Sequence, residues 1–197
     1  MKKQKHCCRL ITLLLLMALS FLSSISYAGT FPETDIEFLQ LPPFCSARMR
    51  EKGTAKEQYW GKKIGRAWVH IHHLCSGLNG INQARLMSPR IPQYRRTLRS
   101  ALGGIDYVLE RTDKNFALYP SMLLNKAEIL LLSKQPEGAI TLLTQAISIR
   151  PTYVSAYLKL SEIYKQQGNK NAAKEILTQG LKQRPQSKVL QKRLKEL

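Results

Sequence analysis

Acidic residues are scarce in this chain. Thirteen Asp and Glu stand against 31 Lys and Arg, giving a formal net charge of +18 over 197 residues. The thirteen are scattered, so no constellation for general acid–base catalysis is legible. No glycine-rich phosphate loop occurs. The two glycines of "ALGGID" sit inside a helical pattern, where a close helix contact is the expected use. Cysteine is equally sparse, with Cys7, Cys8, Cys45 and Cys75 only, and no C-x-x-C-H run for covalent haem. Long apolar runs are missing too. Leu10–Leu22 spans thirteen residues, too few to cross a bilayer comfortably as a helix.

That short run has a meaning of its own. The basic "MKKQKHCCR" precedes it, and "SSISYAGT" follows with small residues at Ser26 and Ala28. Together they read as a secretory signal peptide over residues 1–28, with cleavage expected after Ala28. An uncleaved anchor is the alternative. The expected location is the periplasm or the exterior, with no membrane span after cleavage. Cys7 and Cys8 lie ahead of the apolar run and leave with the leader; a lipid-modified cysteine would follow it. The remaining pair, Cys45 and Cys75, is most simply a disulfide in an oxidising compartment. Cleavage removes four of the 31 basic residues and none of the acids, so a net charge of about +14 remains. Such a surface attracts anions: polysaccharide, lipid headgroups, nucleic acid or acidic proteins. It also fits a solvated helical surface with no anionic partner.

A strict repeat occupies the C-terminal part. A shift of 34 residues sets Leu124 on Leu158, Glu128 on Glu162 and Ile129 on Ile163. It also sets Ala139 on Ala173, Leu143 on Leu177, Thr144 on Thr178, Gln145 on Gln179 and Pro151 on Pro185. Each unit is two helices. In the second copy Tyr157, Leu160, Ser161 and Tyr164 share one face of the first helix, Gly168 ends that helix, and Ala173, Ile176, Leu177, Gly180 and Leu181 form the stripe of the second.

These residues resemble the tetratricopeptide repeat family, with its 34-residue unit and its aromatic–Leu–small–Tyr pattern in the first helix. The first copy is looser, with Leu123 at the aromatic position and Lys126 where Leu is usual. The resemblance implies an all-α, right-handed helical solenoid. The expected divisions are an N-terminal extended or helical lead over 29–63, with 29–44 extended, and a divergent helical hairpin over 64–119. Two repeats follow at 120–153 and 154–185, and a polar-faced capping helix at 186–197. The front end, with "LPPFC" and "HIHHLCSGL", also resembles that of exported proteobacterial repeat proteins of unknown role.

The resemblance further implies a non-catalytic adaptor that holds a protein or peptide on its concave face; with the expected export, its place is an envelope assembly. The residues expected there are Leu124, Asn125, Glu128, Leu131, Leu158, Lys159, Glu162 and Lys165, with Ser121 and Ser155 beside them. The leucines alternatively pack inside the superhelix. Asn125 and Lys159 alone do not complete a clamp for a C-terminal carboxylate. A second class of function is a basic binder of anionic envelope polymer, since residues 152–197 carry ten Lys or Arg against three Glu.

A third class rests on "AWVHIHHLCSG". On a helix over 66–86, an apolar stripe runs from Ile64 through Ala67, Ile71, Leu74 and Leu78 to Ile81. His70 and His73 are one turn apart, the spacing of two metal ligands, as are His72 and Cys75 on a different face. No third or fourth ligand is evident, so metal or haem at His70 and His73 ranks behind the structural use, and no cofactor is expected. A Cys75 nucleophile with His72 as base would need a free thiol. In the structural use the imidazoles hydrogen-bond between helices, Trp68 packs beside them, and Cys75 ties the helix to "LPPFCSARM".

Overall fold

The computed structural model describes residues 29–197, so the leader expected over 1–28 lies outside the described residues. Among them every regular element is a helix. None is long and apolar enough to cross a membrane.

The lead is not extended, as residues 29–44 were expected to be. It holds α1 (Asp35–Leu39), α2 (Pro43–Met49) and α3 (Ala55–Ile64). The reason is local. Thr34 and Glu37 form a reciprocal capping box at the start of α1. The prolines of "LPPF" sit at the N-cap and first position of α2, where a missing N–H costs nothing. The expected single helix over 66–86 is also divided. Gly65, at φ 69°, ends α3. The chain then runs through a 3-10 helix (Gly65–His70) into α4 (Ile71–Leu86). Ile64 therefore belongs to α3, not to the stripe of α4.

Three antiparallel hairpins follow. The first pairs α4 with α5 (Pro92–Leu109), the second α6 (Tyr119–Leu132) with α7 (Pro136–Ile149), and the third α8 (Val154–Gln166) with α9 (Lys170–Gln183). Helix α10 (Lys188–Lys195) packs on α9 and α8. This is the helical solenoid that the resemblance implies. Prolines open α5, α6 and α7, and Asn169 and Ser187 cap α9 and α10 by accepting N–H bonds.

Each layer buries its own apolar stripe. Ile71, Leu74, Ile81, Leu98, Ala101, Ile105 and Val108 join Phe44 and Leu41 of the lead in the first core. Ala127, Ala139, Leu143, Ala146 and Leu160 form the second, and Tyr157, Leu177 and Leu190 the third. Small residues set the closeness of the first crossing. A Cβ on Gly104 would stand 2.6 Å from the His73 carbonyl oxygen and 3.2 Å from the Gly77 nitrogen.

The turn between α6 and α7 has an unusual residue. Lys134 adopts φ 59°, while Gly168, one 34-residue period later, adopts φ 76° in the equivalent turn. Both close their helices by N–H bonds back into the last turn: Gln135 N–H to Leu130 O at 2.8 Å and Asn169 N–H to Tyr164 O at 2.9 Å. A side chain in the left-handed region is disfavoured by about 1 kcal/mol relative to glycine. Lys134→Gly is therefore expected to raise the melting temperature by roughly 2–4 °C, read by calorimetry. An unchanged or lower melting temperature would show that the backbone is relaxed there.

Candidate functional site

Helix α4 packs beside α6, and an ion pair links α6 to α8, so the three share one surface. An ion ladder crosses it. Arg85 of α4 meets Glu128 of α6 at 2.6 Å, Lys159 of α8 lies 3.9 Å from the same carboxylate, and Lys159 pairs with Glu162 at 2.9 Å. Two cations and two anions make the row electrically neutral. Glu128 is the pivot, with only 17% of its side chain exposed.

A cleft of about 250 Å³ opens beside the ladder. Its floor is Leu74, Leu78 and Ile81 of α4, and its far wall is Leu41, Pro42 and Phe44 of the lead. Asn82, Arg85, Ser121, Asn125 and Glu128 supply the polar edge. Two amides and an ion pair above an apolar floor suit an extended backbone carrying an apolar side chain.

Of the residues expected on this face, Asn125 and Glu128 line the cleft, while Lys159 and Glu162 extend the ladder. The leucines do not line the cleft. Leu124 and Leu131 pack against the second core, and Leu158 against the third. Lys165 is exposed and reaches the end of α10, where its Nζ donates to Glu196 O at 3.5 Å. Leu78, Asn82 and Arg85, and the lead residues Pro42 and Phe44, were not expected there. The signal for the α4 residues was available. Treating 71–86 as the first helix of a repeat-like hairpin puts its exposed flank on the same surface.

The lead is bound to α4 by three devices. Cys45 and Cys75 are joined as a disulfide, both fully buried. Buried Thr30 shares hydrogen bonds with Ser76 at 2.7 Å and Ser100 at 2.9 Å. Glu37 accepts from Asn79 at 2.9 Å and Gln83 at 3.1 Å on one oxygen, and from the Glu33 and Thr34 amides on the other. Burial alone would raise the Glu37 pKa. These donors outweigh it and hold the carboxyl at about 2.

Among the described residues the histidines make ring contacts and not the expected inter-helix hydrogen bonds. Tyr107 of α5 presents its ring there: His73 lies 3.9 Å from it and His70 5.5 Å. His72 stacks on Phe31 at 6.4 Å and touches His73 at 4.2 Å. Its Nδ1 is buried with no hydrogen-bond partner. Among the described residues, no three His, Cys, Asp or Glu side chains converge on a metal position. The disulfide also occupies the sulfur that a nucleophile or thiolate ligand would use.

Burial, then the charges of His73, Arg48 and His70, lowers the His72 pKa. Burial, then His70 and Arg111, lowers that of His73. The unfolded chain therefore takes up these protons first as pH falls below about 6.5. Stability contributed by the neutral rings is full above that pH and is lost as pH falls through the folded values. Glu37 acts in a lower window, its contribution being lost from about 4.5 toward 2. Melting temperature should thus fall between pH 7.5 and pH 5, and less so in His72→Gln/His73→Gln, as read by circular dichroism. Identical slopes in the two proteins would refute this assignment.

Residues 130–196 match the family model described as tetratricopeptide repeat. No curated protein matches the chain.

Proposed function

We propose a function from the premise that residues 130–196 are tetratricopeptide repeat, a protein-interaction scaffold. The chain is an exported, non-catalytic adaptor that holds an extended segment of another protein in the groove of α4, α6 and α8, as part of an envelope assembly. The observation that carries this reading is the neutral ladder Arg85–Glu128–Lys159–Glu162 beside an apolar cleft, in a chain that is otherwise strongly basic. A polyanion gains nothing from a neutral row, whereas a peptide backbone gains hydrogen bonds and an apolar side chain gains burial. Export is supported by the leader-like composition of residues 1–28 and by the bonded cysteine pair, which suits an oxidising compartment.

The test is affinity capture from envelope extract at low and high salt. Groove binding survives the salt change because little of it comes from unscreened charge. It weakens in Asn125→Ala, which removes a polar edge residue without opening the core. Loss of all capture at high salt, with Asn125→Ala behaving as wild type, would refute the groove reading.

A second reading has its own observation. Lys174, Lys182, Arg184, Lys188 and Lys192 are all exposed on α9, α10 and their connection. These exposed cations suit an anionic envelope polymer such as polysaccharide, lipid headgroup or nucleic acid. Its signature is steep loss of binding with salt.

A further inference from the structure

A second cleft lies between α5 and the turn that joins α6 to α7. It has a volume of about 570 Å³ and shares no lining residue with the groove cleft. Its floor is apolar, from Leu98, Leu102, Ile129 and Leu130. Its edges are cationic: Arg95 and Arg99 on α5, and Lys134 on the opposing turn. The two arginines are four residues apart and so share one helix face.

All three cations are exposed, and no carboxylate among the described residues pairs with any of them. Glu137, the nearest acid in sequence to Lys134, makes no ion pair among the described residues. The surroundings explain why. From Gln58 to Ile105 the chain has eight Lys or Arg and no acid at all. Lys134 adds an independent sign. It holds a left-handed conformation that the next repeat assigns to Gly168, so a cation is kept at this edge against backbone preference. Pro89 of the α4–α5 loop lines the cleft, and Leu86 at the end of α4 and Ile91 before α5 are 85% and 42% exposed.

We propose that this cleft docks an acidic segment of a partner protein, in which carboxylates one helical turn apart flank bulky apolar side chains. The carboxylates face Arg95 and Arg99, whose planar guanidinium groups pair with them bidentately. The apolar side chains fill the floor, and Lys134 closes the far edge. A charged polymer would leave the floor unused. Residues 1–28 do not fit, having four basic residues and no acid. Two acids of the lead are already engaged: Asp35 pairs with Arg50, and Glu37 accepts from Asn79 and Gln83.

The test uses the purified protein and a fluorescent helical peptide built on the repeat Glu-Leu-Leu-Ala-Glu. Controls carry Gln for Glu, or Ser for Leu. Both arginines are exposed, so Arg95→Glu/Arg99→Glu keeps the fold, checked by its melting curve. The expected result is saturable binding that weakens at least tenfold, about 1.4 kcal/mol, in that variant and with either control peptide. Asn125→Ala binds the peptide as wild type does, so this cleft and the groove fail or stand separately. Four results overturn the proposal: no binding by the wild-type protein, equal binding by the double variant, equal binding of the Ser peptide, or a cleft that prefers phosphatidylglycerol vesicles to the peptide.

Discussion

Breaking the Cys45–Cys75 bond is expected to destabilise the protein by about 3–4 kcal/mol, the chain-entropy value for a loop of this size. The bridge spans 30 residues and joins α2 to α4. In a chain of this length that loss lowers the melting temperature by roughly 10 °C. The effect should be uneven. Helices α1, α2 and α3 have 5, 7 and 10 residues, too short to persist without tertiary support. Their other ties to α4 are the Glu37 and Thr30 hydrogen bonds and the packing of Leu41 and Phe44 in the first core. Hydrogen exchange over residues 30–64 should therefore accelerate more than exchange over α6–α9. Reduction and the Cys45→Ala/Cys75→Ala double variant should agree, apart from a small further cavity cost at two fully buried positions. An unchanged melting curve after complete reduction would show that the lead is held without the bridge.

The second large effect separates two adjacent glycines. Gly104→Ala drives a methyl group into the backbone of α4, with the His73 carbonyl oxygen 2.6 Å away. Helix backbones cannot give by that amount without opening the α4–α5 crossing, so a loss of about 3 kcal/mol is expected. Gly103→Ala meets nothing within 4 Å. It should stabilise by about 0.5–1 kcal/mol, because alanine is the better helix former. Urea melts of both variants measure this. Equal changes of the same sign would mean that α4 and α5 do not cross at Gly104.

The repeat was legible because its physics is local. Leu124 on Leu158, Ala139 on Ala173 and Pro151 on Pro185 report a helix pair built twice with the same small residues at the same crossings. The lead was less legible. Its helices are too short to display a period, and "LPPF" marks an entry into a helix as readily as a break. The disulfide followed from cysteine arithmetic alone.

The groove was legible in part. Glu128 and Lys159 were named from helix position, but the ladder also needs Arg85, which lies outside the 34-residue period because the connection over 110–118 interrupts it. Leu124, Leu131 and Leu158 show the limit of pattern reading. A half-buried leucine at the edge of a stripe reaches a neighbouring core or an open groove with the same spacing, and here each reaches a core. The acid-free run over 58–105 was visible in the sequence, but its cleft exists only where α5 meets the α6–α7 turn.

The central claim is that α4, α6 and α8 form the partner-binding surface, and its most direct measurement is site-specific photo-crosslinking in cells. A crosslinking residue at position 125 sits on the groove cleft, and one at position 174 sits on exposed α9. The account predicts a discrete protein adduct at 125 that persists when the cells are opened at high salt, with none at 174. Adducts at 174 alone, or at neither position, would contradict it.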